Sequence, residues 1–172
     1  YTFPAIVTVA AIVLGRERAD RRRIVALALT SSGLVLVVAG AGAGALDPLG
    51  VAFALGAALV YSAYILCGEG IAGRLRPDVL SALVCTGAAL TLGAGSELLG
   101  ELRPGDLTLA GWGWMACIAV ISTVLAVSLF FAGLARVGSS SAAILSTVEP
   151  LVTVLLAFLV FSETLTVVQV VG

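Results

Sequence analysis

Apolar runs alternate along this chain with short stretches that hold nearly all of its charge. A helix needs about 20 predominantly apolar residues to cross roughly 30 Å of hydrocarbon, and the runs have that length. Read this way, full spans are expected at about 24–44, 49–68, 79–98, 109–135 and 139–161. A truncated span covers residues 1–14, and a seventh begins near 165. The expected architecture is an all-α polytopic transmembrane helix bundle. The chain opens at Tyr1 rather than Met, inside an apolar run, and stops a few residues into another, so it is expected to be a fragment.

Composition agrees with the pattern. Hydrophobic residues make up 60% of the chain and charged ones 11%, with a mean hydropathy of +1.18. Soluble domains carry about 25% charged residues. A net charge of −1, with basic residues crowded into one loop, argues against nucleic-acid binding. There is no His, and Cys67, Cys85 and Cys117 stand apart within apolar runs, which is not a metal-ligand spacing.

Arginine sets the orientation. Arg16, Arg18, Arg21, Arg22, Arg23, Arg74, Arg76 and Arg136 fall in alternate loops, on one side of the membrane. The opposite side holds only Arg103, among Glu97, Glu101 and Asp106. Cytoplasmic loops carry the excess of Lys and Arg, which places the Arg-bearing loops inside.

Two segments repeat. With Pro4 set on Pro150, Ala11 falls on Ala157, Glu17 on Glu163 and Val25 on Val171. The loop after the first copy is rich in Arg, and Ser162 to Thr166 after the second has none. Five spans per repeat force the two copies to lie upside down relative to each other, so inverted five-helix repeats are expected. Such repeats underlie many secondary carriers, with the binding site at the midplane.

At these residues the chain resembles the drug/metabolite transporter superfamily, specifically its EamA-type ten-helix members. The stretch GLARVGSSSAAILSTVEPLVTVLLAFLVFSETLTVVQVVG, Gly133 to Gly172, is similar to the family's eighth-to-tenth-helix pattern. YTFPAIVTVAAIVLGRERADRRRIVALALTSSGLVLVV, Tyr1 to Val38, resembles the close of the first half. Gly50 to Arg74, with VYSAYIL inside it, looks like the sixth helix. The resemblance implies the end of a first repeat at residues 1–44 and a second repeat at 45–172, from helix four to the start of helix ten. Phe3 stands where Glu149 does, so the acid is not duplicated. The family resemblance implies a secondary-active or facilitative carrier of small organic solutes (amino acids, metabolites or drugs), exporting them through a central cavity by alternating access. It implies no cofactor, and the sequence has no Lys and no phosphate-binding Gly-Lys-Ser loop for ATP.

Glu149 is the candidate site residue, as the ionisable group well inside a span. A charge at midbilayer costs about 2.5–3.5 kcal/mol even on insertion scales, so such a residue faces protein or water. Ala142, Ser146, Glu149, Thr153 and Ala157 recur at helical steps as one small, polar stripe. Two roles stay open for Glu149: contact with substrate or proton, or support of a kink where Pro150 frees the Ser146 carbonyl. Pro4 is the matching kink candidate. Ala57, Tyr61, Tyr64 and Gly68 share a face, and Tyr61 and Tyr64 are candidate lining residues with interfacial anchoring as the rival. Trp112 and Trp114 fit an interfacial aromatic belt. Ala52 and Gly56 fit small-residue helix packing. Glu17 and Glu163 read as water-exposed helix-end acids, with a gate contact as the alternative.

An enzyme is disfavoured, because no His or Lys exists and Glu149 has no second intramembrane acid. A structural or receptor-like membrane subunit is the other alternative, disfavoured by the repeat. Expected partners are a small-molecule substrate and membrane lipid, with no nucleic acid and no ATP, and a homo-oligomer is left open. The expected location is a bacterial plasma membrane. The topology is checked by single-Cys labelling after replacement of the three native thiols. Cysteines at Asp47 and Asp106 should react from outside, and external labelling at Arg22 would reverse the orientation.

Overall fold

The computed structural model describes residues 1–40, 47–100, 105 and 107–162, for residues 37–40 the backbone only. Glu101, Arg103, Asp106, Glu163 and the span expected from about 165 lie outside the described residues. The described chain is helical throughout: α1 (Phe3–Val13), α2 (Arg21–Gly40), α3 (Pro48–Ala72), α4 (Pro77–Leu98), α5 (Leu109–Cys117), a π-helical segment (Ile118–Leu125), α6 (Ala126–Val137), α7 (Ser139–Leu145) and α8 (Val148–Phe161). Four runs are long and apolar enough to cross a membrane: Pro48–Ala72, Pro77–Leu98, Leu109–Val137 and Ser139–Phe161. Large apolar side chains point outward along them, with Leu109 at 90% and Leu98 at 87% exposure. A water-soluble domain would bury such residues. Here they suit contact with lipid, and the chain is an all-α, multi-pass integral membrane protein.

The helices cluster into two compact units, residues 1–67 with 137–172 and residues 68–136. In the first, α1 packs against α7. Phe3, Val7, Thr8 and Ala11 are buried on α1, and Ser139, Ser140, Ala142 and Ala143 on α7. Five of α7's seven residues are Ser or Ala, which lets the two backbones approach closely, as suits membrane helices where no hydrophobic drive exists. The Ser62 hydroxyl of α3 donates to the Ala58 carbonyl (2.6 Å) and to the Phe3 carbonyl of α1 (3.4 Å). Arg16 donates to the Leu66 carbonyl at 2.6 Å.

In the second unit the π-helical segment has a distinct bonding pattern. The Thr123 hydroxyl reaches back five residues to the Ile118 carbonyl (3.4 Å). The Val124 carbonyl accepts from the Ser128 hydroxyl at 2.7 Å and the Ser81 hydroxyl of α4 at 3.4 Å. The Ile118 and Val124 carbonyls are thus bonded, as hydrocarbon demands. Phe131, Leu134, Leu80 and Ala72 form the apolar core of this unit.

Boundaries shift from those read in the sequence, for local reasons. Helix α2 starts at Arg21 because Asp20 caps it, accepting from the Arg22 N–H at 3.2 Å. Helix α3 continues past residue 68 to Ala72, so Glu69 lies inside it. Hydropathy marks where lipid contact ends, whereas the helix ends only at Gly73.

Gly68 meets the Phe131 ring, where an added Cβ would sit 3.0 Å from the ring carbon Cε1; a Cβ at Gly56 would meet nothing within 4 Å. Gly68→Val should therefore cost about 1–3 kcal/mol through overpacking and lower the thermal midpoint in detergent. Gly56→Val should lower it far less. Equal midpoints for the two variants would contradict the packing.

Candidate functional site

The run Ser139–Phe161, expected as one span, is two helices with a break at Ser146–Thr147. Pro150 is the cause. Lacking an N–H, it cannot bond the Ser146 carbonyl, and that carbonyl accepts from the Glu149 N–H instead, at 3.1 Å. The Thr147 N–H turns to the Ile144 carbonyl (3.1 Å). Pro150 and Pro4 both stand in the first turn of their helices, α8 and α1. The two copies of the repeated pattern thus place their prolines alike.

Glu149 lies in the first turn of α8, near the middle of the 23-residue apolar run. Its carboxylate is close enough to the Tyr61 and Tyr1 hydroxyls to interact with them electrostatically. Among the described residues no Arg pairs with it. The Ser146 hydroxyl donates to the Ala142 carbonyl (2.9 Å) and the Thr153 hydroxyl to the Glu149 carbonyl (3.0 Å). Both hydroxyl protons are therefore spent on backbone, leaving lone pairs outward. Ser146 is half-buried, while Glu149 and Thr153 are exposed in this chain.

Tyr61 and Tyr64 stack with ring centroids 5.8 Å apart, as their three-residue spacing on α3 allows. Phe3 meets Tyr61 edge-on at 4.9 Å. Gly68, expected on the same lining face, packs instead against Phe131. Trp112 and Trp114 lie exposed on α5.

Glu17 is where the structure corrects the sequence reading. Expected as a water-exposed helix-end acid, its side chain is only 8% exposed. It pairs with Arg23 and accepts from the Ser140 N–H at 3.4 Å. The reason is the start of α7, where Gly138 at φ +80° takes the capping position and has no side chain to offer. The first amides of a helix need an acceptor, and their partial positive charge favours an anion. Glu17 reaches across from the loop after α1 to supply one.

With this geometry in view, the comparison with known proteins is decisive. Residues 48–172 match the EamA-like transporter family. The chain belongs to the EamA-like transporter family. It is also 28% identical over 128 residues to a protein named "Uncharacterized transporter YcbK" from Bacillus subtilis (strain 168). That match covers 72% of this chain and 41% of the relative, so the chain spans less than half the length of the relative it matches. No solved structure matches.

The Glu17 contact is tested by thermal denaturation in detergent. Glu17→Ala should cost about 1–3 kcal/mol, the usual loss when a buried donor is left unmade. Glu17→Gln keeps an acceptor for the Ser140 N–H and should lose clearly less. An alanine variant as stable as the parent would contradict the capping role.

Proposed function

We propose that this EamA-family chain forms part of a carrier, not an enzyme, that moves small organic solutes (amino acids, metabolites or drugs) outward through a central cavity by alternating access. The observation that carries the reading is Glu149, a carboxylate at a helix break in mid-span with no cationic partner among the described residues. A charge in that position is too costly to keep without a use. Its counter-ion is a proton or the charged group of a solute, and Ser146, Thr153, Tyr61 and Tyr64 complete the binding surface.

The acceptor character of the stripe supports amine-bearing solutes in particular. With the Ser146 and Thr153 protons committed to backbone carbonyls, the stripe offers lone pairs and a carboxylate, which complement the N–H groups of an ammonium. The family match from residue 48 supports a second repeat starting near residue 45, with residues 1–44 closing the first. The placement of Pro4 and Pro150 in equivalent first turns supports the same duplication. Inverted repeats supply the rocking motion, and neither ATP nor another cofactor is needed.

Glu149→Gln separates this role from support of the helix break. Gln keeps the shape and a hydrogen-bond donor while losing titration. Solute flux into proteoliposomes by the full-length variant should fall at least about tenfold, the scale on which a charge-assisted bond exceeds a neutral one. The residual flux should lose its pH dependence while membrane expression stays at the parental level. Parental flux at every pH would refute a binding role.

A further inference from the structure

Two shallow grooves run end to end along α2, and neither belongs to the Glu149 surface. One, of about 540 Å³, is lined by Asp20, Arg21, Arg22, Val25, Ala26 and Leu29. The other, of about 310 Å³, is lined by Leu29, Thr30, Gly33 and Leu34 on α2 and by Thr147, Val148, Pro150 and Leu151 beside the helix break. Leu29 lines both, so the two grooves adjoin there and together make a trough along α2. Arg22, Ala26, Leu29 and Gly33 follow steps of four, three and four and therefore share one helical face.

The trough is basic at one end and apolar along the rest. Arg21 and Arg22 are exposed and carry no ion pair among the described residues, whereas Arg23 is committed to Glu17. Asp20 stands on the same rim, and its carboxylate accepts from the Arg22 N–H, leaving one net positive charge from two Arg and one Asp. Further along, the Thr30 hydroxyl donates to the Ala26 (2.9 Å) and Leu27 (3.2 Å) carbonyls. The Thr147 hydroxyl likewise donates to the Ile144 carbonyl at 2.6 Å. The wall thus presents no free hydroxyl donor. Gly33 deepens it by having no side chain.

Length decides the occupant. From Arg22 to Gly33 the helix rises roughly 16 Å, about half the ~30 Å hydrocarbon core. A basic rim followed by one leaflet's depth of apolar wall is the shape of a phospholipid. Anionic headgroups are drawn to basic residues at this depth.

We infer that the α2 trough binds one anionic phospholipid, its phosphate on Arg21 and Arg22 and an acyl chain lying along Val25, Leu29 and Gly33 to the break before Pro150. This site is independent of the solute reading, and its test requires no transport.

The test is native mass spectrometry of the full-length protein in detergent, titrated with phosphatidylglycerol or phosphatidylcholine. The parent should retain one phosphatidylglycerol in clear preference to phosphatidylcholine. The double variant Arg21→Gln/Arg22→Gln should weaken that retention roughly 30-fold, from about fivefold for each basic residue at an anionic surface. Arg136→Gln, which removes the same charge elsewhere, should change it by less than about twofold, the margin of an uninvolved charge. Gly33→Phe should block the trough and lower retention while Arg21 and Arg22 remain. Displacement of the lipid by inorganic phosphate alone would instead mark a free-phosphate site and overturn the proposal. So would equal retention of the two lipids, an Arg136→Gln loss as large as the double variant's, or unchanged retention in Gly33→Phe.

Discussion

In hydrocarbon an unpaired backbone amide has no water to turn to, and each such group costs several kcal/mol. The break between α7 and α8 shows how this chain meets that constraint at its most exposed point. Ser146, Thr147 and Glu149 all find carbonyl partners within the same turn, and the one residue with nothing to donate is Pro150. Ser146 and Thr147 add their hydroxyls to the Ala142 and Ile144 carbonyls. The chain thus changes direction in mid-span with these three amides bonded. The same turn fixes Glu149 at the start of α8, on the side of Tyr61. A polar site at this depth is eased by the bonding of Ser146, Thr147 and Glu149 in the interruption that exposes it.

The same economy governs charge. Glu17 and Arg23 neutralise each other at the end of α1, and the Glu17 carboxylate also serves the start of α7. That contact lies directly beyond the close packing of Thr8 and Ala11 with the Ser and Ala residues of α7. Packing of small residues sets the approach of the two helices, and the cap pins one end of it. Since α1 and α8 carry the two copies of the repeated pattern, the cap ties the first copy to the helix that leads into the second. The second unit solves its own problem differently, with a π-helical segment whose Val124 carbonyl is bonded by two serines.

Much of this was legible in the sequence because lipid imposes a simple code. Runs free of charge marked the helices, and the three-residue spacing of Tyr61 and Tyr64 put them on one face, where their rings stack. Pro150 flagged an irregularity near Ser146. Other features lay below that code. Hydropathy cannot tell a bond five residues back from one four residues back, so the π-helical segment left no trace. Nor could it see that α3 carries Glu69 beyond the apolar run. Glu17 looked like an ordinary water-exposed helix-end acid because its partner, the Ser140 N–H, is remote in sequence and belongs to backbone. The signal that could have found it was Gly138, a helix start lacking a capping side chain.

Under the proposed alternating access, the polar stripe that includes Ser146 meets each side of the membrane in turn. This is tested most directly by Ser146→Cys in the full-length protein, with Cys67, Cys85 and Cys117 replaced, probed by a membrane-impermeant thiol reagent. Labelling from either face applied separately is expected, since the half-buried Ser146 side chain belongs to the stripe. Labelling from one face only, or from neither, would contradict it.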